Sequence, residues 1–498
     1  MQEIKELFLL LQPSTTLSLP QPPEIVHAGA NWEQLVHGIQ NGKYSTDADI
    51  LSDMYAGSPH GQEELALLKI ALKETLTSLV FRLNGKLEQA TDPEEVYAEC
   101  HQRWLRVRLL SGENARSLAL DLAHQLLRIA EKFDLSFLCL DITAFLRLQL
   151  CRGHQTAAEC HQVYARHQYF RDLYELEFRA EGWYAALIQQ LVDTRKKQPK
   201  TARLAREYAQ QLKPAMKRFK SNKLQLYGYL IQSLEHLAEQ DYQKMIPVLQ
   251  QAVRYFRRRP YQAQAPLQIF YYQQLVAAIQ LKDFAGGRKA AQQCMKLTDW
   301  GSLNWYKFNE LYIALAFHTQ HFSQAIQRLT EATALTKFKT LPASMKSNWT
   351  LIEAFAIVAH LDSRPTLPST KTNRCIGVLR RLDDALQEGQ PLPASAVLAV
   401  AFLIRLQLGQ LDTIQAELSR IEAWLAEQEP AVQQQRSYLF LSMLCQLSAA
   451  GFEREKSRAA AAPTLTKLKK LPCLVANQTS ELELIPYEIL WELALNAL

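Results

Sequence analysis

Four residues between Cys151 and His161 carry the donor atoms that zinc prefers: Cys151, His154, Cys160 and His161, in a C-x2-H-x5-C-H spacing, with Cys100-His101 upstream. Thiolates and imidazoles hold zinc when they converge tetrahedrally. Cys160 and His161 are neighbours on an expected helix and diverge by about 100°, so one ion does not serve both. The pattern therefore reads as buried cysteines and surface histidines, with no metal and no cofactor. A second group is electrostatic. From Arg195 to Lys223 the chain holds Arg195, Lys196, Lys197, Lys200, Arg203, Arg206, Lys213, Lys217, Arg218, Lys220 and Lys223 against Glu207 alone. Such a run either docks the phosphates of a nucleic acid or an acidic protein surface, or forms the solvated face of a helix. Tyr208 and Phe219 lie within it and permit base stacking. The polyanion patch would comprise Arg195, Lys196, Lys197, Lys200, Lys217, Arg218 and Lys220. Arg257-Arg258-Arg259 adds charge downstream. The formal net charge is only +6 over 498 residues, so any polyanion site must be local. The nucleotide loops GxxxxGK[ST] and GxGxxG do not occur, nor do HExxH, GxSxG or CxxC. No catalytic residue emerges, and the chain reads as non-enzymatic.

Any site must be positioned by helices, because the apolar spacing is near 3.6 almost throughout. Tyr242, Phe284 and Phe322 each follow a polar loop residue (Asp241, Asp283, His321) and each opens a helix. After Tyr242 come Met245, Ile246, Leu249, Ala252, Val253 and Phe256; after Phe322 come Ala325, Ile326, Leu329 and Ala332. Each set lies on one stripe of a helix. The middle copy is weaker, with Gly287 and Arg288 where the others have apolar residues, until Ala291, Cys294 and Met295 restore the stripe. A partner helix precedes each aromatic residue: Leu230, Ile231, Leu234 and Leu237; then Leu275, Val276, Ala278 and Ile279; then Leu311, Ile313, Ala314 and Phe317. The aromatic residues stand 42 and 38 positions apart. Two helices per unit at such a period predict an α-solenoid.

With an aromatic residue opening the second helix and a small residue ten positions on (Ala252, Cys294, Ala332), the stretch from Tyr227 to Leu335 resembles the tetratricopeptide-repeat family. These units are longer than that family's roughly 34 residues. The resemblance implies a right-handed superhelix whose first helices line a groove for an extended peptide. Carried onto this chain, the groove would be lined by Tyr227, Leu230, Tyr272, Val276, Gln280, Lys307, Glu310, Phe317 and His318. Leu230 and Val276 read better as core between helices. Tyr227, Tyr272, Gln280, Lys307, Glu310, Phe317 and His318 remain as groove candidates.

Length alone would suggest roughly three domains, and the punctuation agrees. Residues 1–92 form a helical region with a proline-bearing extended segment (Pro13, Pro20, Pro22, Pro23); 93–360 form the repeat domain; 361–498 form further repeats and a capping helix from about Pro486. The longest loop is expected from Asp362 to Asn373, and Pro463 is expected to disturb the helix that carries it. Val397–Ile404, the best apolar run, is far short of the roughly 20 residues that cross a bilayer. The N-terminus has the wrong charge for a signal peptide. Eight scattered cysteines suit a reducing compartment. The expectation is an all-α, cytoplasmic, superhelical α-solenoid of antiparallel helix pairs that binds a protein or peptide, without membrane contact. Two alternatives stand beside it. An RNA-binding solenoid would use the basic run; a peptide-sensing regulator would need a DNA-binding helix-turn-helix, which residues 48–83 do not show.

Overall fold

The computed structural model describes residues 4, 7–8, 29–44, 46–82, 93–112, 116–150, 157–191, 197–259, 264–360, 369–430, 432–433, 435–473 and 483–498. Among them 83% are helical and no strand occurs, as the near-3.6 apolar period requires. The proline-bearing segment expected around residues 12–25 lies outside the described residues. Contacts divide the chain into two compact units. The first is Met1–Glu181 with Pro214–Gln225 and Pro260–Gln262; the second is Gly182–Lys213, Leu226–Arg259 and Ala263–Leu498.

The first unit contains α1 (Gly29–Gln40), α2 (Asp47–Met54), α3 (Gly61–Arg82), α4 (Pro93–Gly112), α5 (Arg116–Lys132), α6 (Ser136–Leu150) and most of α7 (Ala157–Gln190). Thr46 opens α2 with a reciprocal capping box. Its hydroxyl accepts from the Asp49 N–H at 3.3 Å, and its own N–H donates to the Asp49 carboxylate at 2.7 Å. Helix α5 turns Leu118, Leu122, Leu126 and Ala130 inward and packs on α4 and α6. Between α4 and α6, the Trp104 indole donates to Asp141 at 2.6 Å and meets the edge of Phe145. Glu177 of α7 is fully buried, and its carboxylate accepts from the hydroxyls of Ser136 and Ser221. Burial pushes this carboxyl up, opposed by the two serines.

Second-unit helices come in pairs. They are α9 (Asn222–Ala238) with α10 (Tyr242–Arg257), α11 (Gln264–Leu281) with α12 (Phe284–Lys296), and α13 (Leu303–His318) with α14 (Phe322–Thr333). Then follow α15 (Ala343–His360) with α16 (Ser369–Gln387), α17 (Ala394–Gln407) with α18 (Leu411–Ala426), and α19 (Arg436–Ala449) with α20 (Arg454–Lys470). Helix α8 (Pro199–Arg218) precedes the pairs and α21 (Tyr487–Asn496) follows them. One turn recurs inside the pairs. Gln240, Lys282, Gln320, Gly409 and Gly451 all have φ between +55° and +67°. The next residue's N–H reaches back five positions: Asp241 to His236 O, Asp283 to Ala278 O, His321 to Ala316 O, Gln410 to Arg405 O and Phe452 to Leu447 O, at 2.7–3.1 Å. This is the Schellman closure, which satisfies the last carbonyls of a helix. In the first two turns the same aspartate also caps the following helix, accepting from the Lys244 N–H at 3.1 Å and the Gly286 N–H at 3.0 Å. Two residues thus end one helix and start the next.

Small residues decide how closely the pairs stack. Ala252, Cys294 and Ala332, ten positions into the second helices, are completely buried. Gly287 explains the weak middle copy: a Cβ there would lie 2.5 Å from Leu315 Cδ2 and 2.9 Å from the Ala278 Cβ. The missing side chain admits α12 close to both α11 and α13. First helices also touch first helices of the next pair, as α11 does α13, α15 does α17 and α17 does α19.

Three local expectations need correction. Tyr242 and Phe322, which as heads of apolar stripes would be expected buried between helices, are half-buried, as is Phe284, because the head of the second helix opens toward solvent beside its turn. Phe284 covers its outer face by stacking on His321 at 3.7 Å. Helix α20 runs unbroken through Pro463, and α16 begins at Ser369, inside the stretch expected to be loop.

Candidate functional site

In the first helices of the pairs, burial separates the predicted groove residues into two sets. Tyr227 on α9, Tyr272 and Gln280 on α11, and Lys307 on α13 are half-exposed. Tyr227 and Lys307 sit fifteen positions before Tyr242 and Phe322, and the equivalent residue of the middle pair, Ile269, is 38% exposed. One column of corresponding positions on α9, α11 and α13 therefore presents a ring, an aliphatic chain and a cation to solvent. Around it lie more aromatic groups. The rings of Tyr184 and Tyr227 are 5.6 Å apart, and Tyr229 meets Phe270 and Tyr255. Guanidinium groups flank this cluster, with Arg257 over Tyr271 and Arg259 over Tyr255.

Glu310, Phe317 and His318 form the other set and are buried. Glu310 is paired with Lys307 at 3.2 Å; burial pushes its carboxyl up while Lys307 opposes the shift. Phe317 is core. His318 is 4% exposed, and its Nε2 lies 2.9 Å from the Glu483 carbonyl oxygen. A carbonyl only accepts, so Nε2 carries the proton and donates. Burial pushes this imidazole down to about 4.

The residue opposite His318 belongs to a polar cluster that no sequence motif announced. Arg436, at the head of α19, is 4% exposed and Glu483 is 2% exposed. Arg436 Nε donates to Glu483 Oε2 at 2.8 Å and Nη2 to Oε1 at 2.6 Å, a two-pronged contact. Nη2 also reaches Glu488 at 2.6 Å, while Nη1 donates to the carbonyls of Leu468 and Leu471 at 2.7 and 3.0 Å. Burial acts to lower the Arg436 guanidinium, but the carboxylates of Glu483 and Glu488 outweigh it and hold the group well above its ordinary value. Tyr487 stacks on Phe440 with centroids 4.6 Å apart. The available sequence signal was slight: a lone arginine heading the otherwise apolar run of α19.

The basic run is a helix face. Ala202, Ala205, Ala209 and Leu212 form the buried stripe of α8, and Lys200, Arg203, Arg206 and Lys213 stand on its exposed side. Several of the run's cations already have carboxylate partners. Arg203 pairs with Glu207 at 3.0 Å, and Arg206 with Glu235 and Glu239 at 2.8 and 3.1 Å. Arg218 pairs with Asp172 at 3.4 Å and Lys223 with Glu181 at 2.8 Å. Lys197, Lys200, Lys217 and Lys220 are exposed; Arg195 and Lys196 lie outside the described residues. Lys197 lines a shallow pocket of about 570 Å³ together with Glu239 and Asp241, so its surroundings are of mixed charge.

Cys151 and His154 lie outside the described residues as well. Cys160 is half-buried and His161 exposed; Cys100 is buried, its thiol pushed up to about 11 by burial. Among the described residues, no group of three or more histidine, cysteine, aspartate or glutamate side chains is placed to hold a metal ion. Nor is any described helix long and apolar enough to cross a membrane. Neither a protein-family model, nor a curated protein, nor a solved structure matches the chain.

Proposed function

We propose that this chain is a non-enzymatic, helical-repeat scaffold that binds an extended peptide or protein segment across the first helices of its second unit. The proposed architecture is a tetratricopeptide-like α-solenoid. Its support is the repeated two-residue turn and the contact of first helix on first helix between successive pairs. The binding reading rests on the half-exposed column Tyr227, Ile269 and Lys307 with Tyr272 and Gln280 beside it. Aromatic rings supply contact area at low conformational cost, and half-buried rings are already held in place by their neighbours. Lys307 and the nearby arginines would favour a peptide carrying acidic groups.

The cytoplasm is the proposed setting, since buried thiols such as Cys294, pushed up to about 12 by burial, suit a reducing compartment. The polyanion alternative is the weaker one, because Arg203, Arg206, Arg218 and Lys223 are engaged by carboxylates.

Selection of a random peptide library on the intact protein tests the reading. Binding sequences should be enriched on the wild type and lost on the triple variant Tyr227→Ala, Tyr272→Ala, Lys307→Glu. Equal enrichment on both proteins, or none on either, would remove this site.

A further inference from the structure

First helices of the later pairs are more deeply covered. Helix α13 buries 13 of its 16 residues and α17 buries 11 of 14, too many for helices with one side open to solvent. Trp349 of α15 covers part of α13, against Tyr306, and the segment that begins at Glu483 covers part of α17 and the C-terminal end of α13. Its α21 packs on α17, α19 and α20, and Glu483 meets His318 of α13 from 165 positions away. Leu484, Ile485, Tyr487, Leu490 and Trp491 of this segment are all buried.

We propose that this face is a peptide-recognition site, filled in the resting chain by its own segment 483–498, and that the site is specific for a Glu-Leu-Ile-Pro-Tyr-Glu type of sequence. The proposal goes beyond the groove described above, since it concerns α17, α19 and only the C-terminal end of α13, away from Lys307, and names the chemistry of the occupant.

Three features distinguish a receptor from a plain hydrophobic cap. First, Arg436 is positioned by the pairs themselves. Its Nη1 is held by the carbonyls of Leu468 and Leu471 at the end of α20, which leaves Nε and Nη2 directed at the segment. A guanidinium fixed in that way presents a preformed fork for one carboxylate. Second, the contacts read particular groups of the segment in order. Arg436 takes the Glu483 carboxylate, His318 its carbonyl, Phe440 the Tyr487 ring, and Arg436 again the Glu488 carboxylate. Third, the clamp is ionic and buried. Such a triad contributes little stability beyond what apolar residues of the same size would give, but it fixes register. A cap has no need of register; recognition of one sequence does.

The segment also arrives in a form suited to binding. Pro486 fixes the backbone just ahead of α21, and the Tyr487 N–H donates to the Glu483 carboxylate at 2.9 Å, so the short helix is capped by the same glutamate that Arg436 holds. One carboxylate thus orders the ligand and docks it.

The test uses the full chain with a protease recognition sequence inserted after Asn477. Cleavage should leave far-ultraviolet circular dichroism unchanged. A fluorescein-labelled synthetic peptide of residues 483–498 should then bind the cut protein saturably by anisotropy, in competition with unlabelled peptide. Changing both Glu483→Gln and Glu488→Gln in the peptide alone should weaken it at least about 30-fold, the lower end of the cost of disrupting a buried charge pair. Arg436→Lys in the protein, which keeps the charge but loses the fork, should fall between. Loss of helicity on cleavage, no exchange of peptide over a day, or equal binding of the doubly neutral peptide would each show that the segment is only a structural cap.

Discussion

Helices α11 and α13 occupy equivalent places in adjacent pairs, yet they meet solvent differently. Helix α11 keeps Tyr272, Gln273, Gln274 and Gln280 half-exposed, whereas α13 is buried almost from end to end. Their turns are the same, and both are long apolar helices preceded by polar connections. What differs is cover from later in the chain: Trp349 of α15 packs on Tyr306 of α13, and Glu483 reaches His318 at the helix end. A repeat position therefore does not determine exposure. Whether a first helix presents a binding face depends on what returns to lie on it.

The largest effect should come from the clamp that holds the cover. Arg436→Ala leaves Glu483 buried without its cation, and loss of one partner of a buried pair typically costs about 3–5 kcal/mol. Urea unfolding should register this, while Arg374→Ala, whose exposed side chain pairs with Glu353, should change stability by no more than about 1 kcal/mol. If the two variants unfold alike, α13 is not closed by that cluster.

Acid should act next. His318 has a folded value of about 4 against an ordinary 6.5, because burial disfavours its charged form; Lys282 and Arg436 depress it further, while the Glu483 carbonyl and Glu488 oppose the shift. The unfolded chain binds the proton more readily, so the contribution is complete above pH 6.5 and is lost as pH falls toward 4. Between pH 7 and pH 5 the loss should be about 2 kcal/mol. His318→Gln should flatten that part of the stability profile, and an unaltered profile would mean that the covered face admits water.

Gly287→Val probes the uncovered side of the comparison. Its side chain would meet Leu315 and Ala278, so repacking should cost about 1–3 kcal/mol. Smallest is Tyr272→Ala, a half-buried ring on α11, for which chemical denaturation should show a loss well below the roughly 3–5 kcal/mol of a fully buried aromatic. A loss as large as that of Arg436→Ala would mean that α11 is as enclosed as α13.

Local signals in the sequence carried much of the helix layout and little of the burial. The pairs were legible because an aspartate or histidine followed by an aromatic residue marks both a stop and a start, and the small residues ten positions on do bury completely. Pro463 misled: a proline in the first turns of a helix removes a donor that has little use there, but well inside α20 it removes a ladder bond that this helix does without. Glu310, Phe317 and His318 were assigned to a groove by position alone. His318 meets a residue 165 positions away, and Glu310 lies against Asn348 and Trp349 of the next pair, relations no window of periodicity contains. Arg436 was visible as a residue type and invisible as a partner. The last helix was legible as amphipathic, which gives a buried face but not the helix it lies against.

The separation of 165 residues between His318 and Glu483 has a further consequence during synthesis. Chains emerge from the ribosome at about 5–20 residues per second, so the His318 end of α13 would wait roughly ten to thirty seconds for its partner. For that interval His318 lacks its partner, and the faces of α17 and α19 that the segment covers stand open once they are made, on a nascent chain whose local pairs can already have formed, since helix-pair contacts are short in sequence and fast to make. The apolar face that ends as interior begins as the surface most in need of a chaperone. A ribosome stalled before Glu483 has been made should hold a chain that is helical, yet far stickier than the one that is released.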